Sequence, residues 1–461
     1  MFSPTELAGF HVVITRHDGS EILVERSAHG VRLPVIAIPP HTRPAEELTS
    51  AIESRWNLKT YCLLTLPAEE PRSVRSTAIL ELCSACATIP EGFEWCAAAL
   101  RSLQDFDDSE SYSIIEHALA TLNDGRSDKH QGPFGRTGWL EHVSEWIAAQ
   151  AAAEGLRLNG RFRQLNASPT FSVIRFETDG PALWFKAVGE PNLREYSITL
   201  ALANHFPSFL PRVIAARADW NAWLSCEAEG TPLDDMPDIP SWKRVAEALA
   251  NLQISSVGQS LHLLDVGCRD VRASALLSRT GSFFEAMADL MAQQTKPFPA
   301  PLSKNELGML RSQLEETLTE WTESFIPNTL GHLDFNTGNV ITATHGSVFL
   351  DWAEGCIGHP FLTFEYLLEC FRKVHGAGAG AEQLVRSAYL TPWKFFASDQ
   401  RIKSELRLAP LLAVFAYATT AVDGTSLGNV PRGTVRYLRS LTRRMKREAG
   451  PLQERTSPCL P

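Results

Sequence analysis

Residues 331–352, "GHLDFNTGNVITATHGSVFLDW", gather side chains suited to phosphoryl transfer. Two short apolar runs, "NVITA" and "SVFLD", are set off by glycine-containing loops and read as a β-hairpin. Asn339 precedes the first run and Asp351 ends the second, so pairing the runs places these two residues side by side. Oxygen ligands from an Asn and an Asp at one strand end suit Mg2+, which takes few protein ligands and leaves room for phosphates. Asp334 lies on the adjoining loop. A carboxylate there that the metal does not need can accept a proton from an attacking hydroxyl. The hairpin is expected to bury its apolar face and so fix the polar groups on the loop.

The order His332-x-Asp334-x-x-x-x-Asn339, an apolar strand, Asp351-Trp352, then Gly358-x-Pro360 resembles the aminoglycoside phosphotransferase and choline kinase family. That resemblance implies an α+β, two-lobed protein-kinase-like phosphotransferase fold. It implies that Asp334 is the catalytic base, that His332 supports the loop, and that Asn339 and Asp351 hold Mg2+ with ATP as donor. It also asks for a lysine on an N-lobe strand and a glutamate on the next helix. "LWFKA" supplies Lys186 and "NLREYSITLALA" supplies Glu195. "WLSCEAEGTPL" resembles the hinge between lobes and puts Glu227 at the nucleotide. The phosphate-covering loop falls between Gln164 and Val173, with the backbone near Ser168 facing the phosphates. The sequence departs from the family there, because "QLNASPTFS" holds no glycine and Pro169 removes a donor. Leu333 stands where a small glycine is usual, and Thr363 where an aspartate is often found. The resemblance covers about residues 138–445.

These side chains need elements to hold them. "FSVIRFET" and "LWFKAV", joined by "DGPA", read as a hairpin that carries Lys186. "REYSITLALANHF" reads as a helix, and "RVIAARADWNAWLSCEA" as two more strands. A helix starts at Trp139 with Val143, Trp146, Ile147 and Gln150 on one face. After Pro240 most of the chain reads helical. The expected division is 1–103, a first domain; 104–137, a polar linker around a short helix; 138–445, the phosphotransferase domain; and 446–461, a tail. Its N-lobe would span about 138–229 and its C-lobe about 230–445.

The first hundred residues hold strands "FHVVIT" and "EILVER" around Asp18-Gly19, a helix from Pro44 to Trp56, and strands "TYCLLTL" and "TAILELCSACATI". This small α+β unit resembles a Nudix fold. Hydrolysis by that fold needs several metal-binding carboxylates on the helix, but Ser50, Ala51, Ser54 and Arg55 occupy those places. A non-catalytic domain is expected.

The chain has 461 residues, 44% hydrophobic and 21% charged, enough for two or three domains. A net charge of -10 argues against a nucleic-acid surface. No apolar run reaches membrane-span length, and "MFSPTELAGF" lacks the features of a secretory signal. Nine scattered cysteines suit reduced thiols, so a cytoplasmic protein is expected, and Cys83-x-x-Cys86 has no second pair at zinc spacing. The leading expectation is an ATP- and Mg2+-dependent kinase of a small-molecule hydroxyl, with no nucleic-acid or membrane partner. Aminoglycosides, choline-like amines, amino-alcohols, sugars and macrolides all remain open as acceptors. A nucleotide- or ligand-binding protein without turnover is the alternative. Protein kinase activity is disfavoured, since no Asp-Phe-Gly or Ala-Pro-Glu follows Asp351.

Overall fold

A computed structural model describes residues 7–16, 19–40, 42–68, 75–83, 88–97, 103–124, 133–168, 170–376, 379–420 and 432–453. Asp18, Cys86 and Pro169 lie outside them. The chain divides into two compact units, one of Met1–Tyr196 with Arg212–Glu227, the other of Ser197–Pro211 with Ala228–Pro461. The third and last crossing falls between Glu227 and Ala228, inside "WLSCEAEGTPL".

The first unit holds two sheets. In the first sheet, β1 (Ala8–Thr15), β2 (Glu21–Arg26), β3 (Val31–Arg32), β4 (Val35–Ile38), β5 (Thr60–Leu66), β6 (Ser76–Leu82) and β7 (Phe93–Ala97) join in the order β3-β2-β1-β6-β5. Off this path β4 pairs with β1 and β7 with β2. All pairings are antiparallel except β1 with β6. The parallel pair requires a crossover, and α1 (Pro44–Trp56) lies on it. This helix starts at a proline, carries Glu46 and Glu47 in its first turn and ends on left-handed Asn57. It buries Ala45, Leu48 and Ile52.

The second sheet comprises β8 (Leu158–Ser168), β9 (Phe171–Thr178), β10 (Leu183–Val188), β11 (Val213–Arg217) and β12 (Ala222–Cys226), in the order β11-β12-β10-β9-β8. Two helices, α2 (Ser109–Asp124) and α3 (Trp139–Ala153), precede it. One buried core takes in Val13, Leu63 and Ile79 from the first sheet, Ile114 and Ala118 from α2, Trp139 and Ile147 from α3, and Phe185 and Leu224 from the second sheet. The sequence suggested a domain, a linker and a lobe here, whereas the structure gives one compact unit. The physical reason is that the helix within the expected linker has apolar residues at helical spacing, and they join that core.

The helix α4 (Arg194–His205) leads from the first unit into the second. The second unit is mainly helical: α5 (Ile239–Ser255), α6 (Ser260–Asp265), α7 (Ala273–Ala292), α8 (Lys304–Thr322), α9 (Phe361–His375), α10 (Ala379–Leu390), α11 (Asp399–Leu406), α12 (Ala409–Thr420) and α13 (Arg432–Gln453). The last of these continues through residues expected to start a tail. Two three-stranded sheets sit among the helices. One joins β13 (Thr231–Pro232), β16 (Val340–Ala343) and β17 (Gly346–Phe349); the other orders β14 (Arg269–Val271), β18 (Gly355–Gly358) and β15 (Thr329–His332) as β14-β18-β15.

Candidate active site

Residues His332 to Asp351 form the first candidate group, all in the second unit. Strand β15 ends at His332. The His332 backbone N–H donates to Thr363 Oγ1 at 2.9 Å, so the threonine at the departing position anchors the loop to α9. Gly331 makes this approach possible: a Cβ there would lie 2.8 Å from Thr363 Oγ1 and 3.0 Å from Cys356 Sγ. The buried His332 ring faces the Leu350 carbonyl through Nε2 at 3.1 Å. Burial lowers its pKa, which favours the neutral ring, and a carbonyl accepts only, so Nε2 carries the proton. His332 thereby ties the start of the loop to the residue before Asp351.

The hairpin pairs Val340 with Phe349, so Asn339 faces Leu350 rather than Asp351, one residue off the pairing expected from the sequence. Leu350 N–H donates to the Asn339 carbonyl at 2.8 Å, which holds the two strand ends together beyond the last pair. Asp351 takes a left-handed backbone with φ 61°, a conformation that Asp tolerates better than most residues. The Asn339 side-chain amide lies 3.4 Å from the Asp334 carbonyl. Asp334 remains exposed to solvent, yet surrounding protein desolvates its carboxyl and raises its pKa. The charges of Asp351 and Glu354 push the same way. A carboxylate of raised basicity beside a loop amide is suited to taking a proton.

Two further groups in this unit bear on the loop. Asp234, in the acidic stretch after β13, meets the Thr337 hydroxyl. A Cβ on Gly338 would sit 3.2 Å from Asp234 Oδ2, so the acidic stretch packs directly on the loop. Arg269 Nε pairs with Glu354 Oε2 at 2.6 Å, which keeps a charged pair close to Asp334.

The second candidate group lies in the first unit. Lys186 is on β10, the central strand of its sheet, and its Nζ is 2.5 Å from Glu195 Oε1. Glu195 is only 2% exposed, and a carboxylate so buried requires a cation partner. Lys186 retains partial exposure and lies 5.8 Å from the centre of the Trp223 ring. Ser168 closes the β8–β9 turn. Its Oγ accepts from Thr170 N–H at 3.1 Å and from Phe171 N–H at 3.0 Å, so both amides are engaged inside the turn. The Glu227 carboxylate accepts from Arg175 at 2.7 and 3.0 Å and from Trp184 Nε1 at 3.3 Å. Hydrogen bonding to Arg175 holds its pKa below the ordinary range. The structure therefore brings Lys186 to Glu195, and groups His332, Asp334, Asn339 and Asp351. It leaves Ser168 in a turn and Glu227 on an arginine.

Among the described residues there is no group of three or more His, Cys, Asp or Glu side chains that could hold a metal. Asn339 and Asp351 supply one amide oxygen and one carboxylate, a set that fits a Mg2+ ion completed by phosphates and water. Among the described residues no helix is long and apolar enough to cross a membrane.

No protein-family model matches the chain, and no curated protein sequence does. Solved structures do match in chain trace. An ethanolamine kinase from Plasmodium vivax is 12% identical, with 76% of this chain and 91% of that chain covered and a TM-score of 0.46. A choline kinase from Cryptosporidium parvum is 12% identical, with 68% and 97% covered and a TM-score of 0.47. A macrolide 2'-phosphotransferase from Brachybacterium faecium is 15% identical, with 64% and 96% covered and a TM-score of 0.42.

Proposed function

We propose that this chain transfers the γ-phosphoryl group of ATP to a hydroxyl of a small molecule, with Mg2+. The observation that supports this most is the loop between β15 and β16. Its Asp334 carboxyl has a raised pKa, and the hairpin that follows holds Asn339 and Asp351 at a shared strand end. In this reading Asp334 accepts the proton of the acceptor hydroxyl as its oxygen attacks. Asn339 and Asp351 would hold Mg2+, which would neutralise phosphate charge. His332 stays neutral and fixes the Leu350 carbonyl, so Asp351 keeps its place. Lys186, kept charged by Glu195, takes phosphate oxygens. Arg269 holds Glu354, one of the charges that raise the Asp334 pKa, in an ion pair.

The acceptor is proposed to be an amino-alcohol or an aminoglycoside-like molecule. Asp234, packed against the loop that carries Asp334, supports this, because an acidic group there favours a cationic acceptor. The first hundred residues are proposed to be a Nudix-like domain without hydrolase activity. Their helix α1 offers Ser50, Ser54 and Arg55 to solvent. A second reading, nucleotide binding with weak or no turnover, is favoured by the Ser168 turn, whose amides are engaged internally. Screening hydroxylated metabolites and antibiotics with ATP, with and without a chelator, and weighing the products by mass separates the two. Mg2+-dependent monophosphorylated product supports transfer; ATP binding with no product from any acceptor supports the binding reading.

A further inference from the structure

The edge strands of the two sheets in the first unit meet at a glutamine side chain. β5 is the edge of the first sheet, and β8 is the edge of the second. Gln164 on β8 is 1% exposed. Its Oε1 accepts from Cys62 N–H at 2.7 Å, and its Nε2 donates to the Cys62 carbonyl at 2.7 Å. The glutamine amide thus acts as the missing peptide of a neighbouring strand and satisfies both edge groups of a fully buried residue. Each strand is irregular where they meet, with register shifts between Cys62 and Leu64 and between Gln164 and Asn166.

Other contacts seize the same hairpin. Tyr61 Oη and Ser172 Oγ are 2.9 Å apart, both buried. Ser172 faces Ala187 on β10, next to Lys186. Lys59 Nζ donates to the Gly160 carbonyl at 2.7 Å and sits 4.6 Å from the centre of the Phe162 ring. Glu46 on α1 pairs with Arg163 at 3.0 Å. Successive residues of a strand alternate in face, so Ser172 and Ala187 lie on the side opposite Val173 and Lys186. The amino-terminal part therefore grips the hairpin from its edge and from the face away from Lys186.

We propose that the first hundred residues clamp the β8–β9 hairpin over the nucleotide phosphates, with Gln164 as the positioning residue of the clamp. This rests on the phosphotransferase reading above. A glycine-rich loop is ordered by its ligand; this hairpin is ordered beforehand by its own chain. Its Ser168 turn is closed internally, and its outer strand is pinned to β5. Order supplied before binding lowers the entropy lost when phosphates arrive.

The test uses the full chain and titrates MgADP and adenosine by calorimetry, well below the unfolding temperature of every variant. Gln164→Leu keeps the side-chain volume and removes the amide. It is expected to weaken MgADP on the order of tenfold while leaving adenosine affinity unchanged, since only the phosphate end depends on the hairpin. Amide hydrogen exchange across residues 164–173 is expected to rise with it. Tyr61→Phe removes only the hydroxyl contact to Ser172; it is expected to cause a smaller loss in the same direction, and it decides the matter if Gln164→Leu does not fold. Lys186→Ala serves as the control. If Lys186→Ala weakens MgADP while Gln164→Leu and Tyr61→Phe bind like the parent, the clamp is overturned and the phosphotransferase reading stands. If the parent itself binds no MgADP, both fall. Equal loss of adenosine and MgADP affinity also overturns the clamp, because it marks a general structural effect.

Discussion

Helix α1 and the loop between β15 and β16 are both short polar segments packed against sheets, and either could carry carboxylates for phosphate chemistry. They use them differently. On α1, Glu46 is drawn to Arg163 on β8, and the helix packs along that strand. Its exposed residues are Ser50, Glu53, Ser54 and Arg55, with a single carboxylate among them rather than a row. On the loop, Asp334 makes no ion pair with a lysine or arginine among the described residues, and burial, with the charges of Asp351 and Glu354 against that of His332, raises its pKa. A carboxylate neutralised by an arginine holds parts together, whereas one crowded by like charge and partly desolvated is set for proton transfer.

The sharpest way to break that contrast is at the loop. Asp334→Asn is expected to fold normally and to lose turnover by a factor on the order of 10² to 10⁴, the usual worth of a general base. Retained turnover with this variant removes the loop from the chemistry. Next in size is Lys186→Ala, expected to weaken MgATP by roughly ten- to a hundredfold, as loss of a charge-assisted phosphate contact does. Glu195→Gln is expected to have the milder effect, because it frees Lys186 without removing it. Equilibrium titration of both variants checks the order; the reverse order would place the essential charge on the glutamate.

Stability tests the docking side of the comparison. Gln164→Ala strands the N–H and carbonyl of Cys62, both buried, at a cost of about 2–4 kcal/mol in unfolding free energy. Denaturant melts of the full chain measure it, and an unchanged midpoint would show that water takes the place of the amide. The pH profile is a smaller effect. A base must be ionised, so turnover falls as pH drops through the Asp334 pKa. Desolvation raises that pKa, so the acid limb is expected above about pH 4, the ordinary aspartate range. An acid limb below that range would exclude Asp334 as the group titrating. The smallest expected effect is none at all. Ser50→Ala and Ser54→Ala should leave turnover unchanged, and Asp334→Asn protein should hydrolyse no nucleoside diphosphate compound with Mg2+ or Mn2+. Hydrolysis by that protein would give α1 a chemistry its side chains do not support.

Much of this arrangement was legible in the sequence because it is local. The alternation in "LWFKAV" fixes β10 and puts Lys186 on it, and Pro44 and the apolar spacing after it mark α1. A hairpin closes over a short turn and sets Asn339 opposite Leu350, the residue before Asp351. The rest depends on residues far apart in the chain. Gln164 and Cys62 are 102 residues apart, and a glutamine in a strand gives no sign that its amide replaces a peptide group. Joining of the first hundred residues to the second sheet was hidden for the same reason. Thr363 looked like a departure, yet its hydroxyl accepts the His332 amide, a role for which an oxygen of either residue type would serve. Asp234 lies over a hundred residues before Gly338, and only tertiary packing brings it against the loop.

The central claim is that the Asp334 loop drives phosphoryl transfer to a hydroxyl. It is tested most directly by incubating parent and Asp334→Asn proteins with ATP, Mg2+ and a panel of amino-alcohols and aminoglycosides, then measuring phosphorylated product by mass. The account predicts a monophosphorylated acceptor from the parent and almost none from the variant. Equal product from both, or ATP bound by the parent with no acceptor in a broad panel phosphorylated, would contradict it.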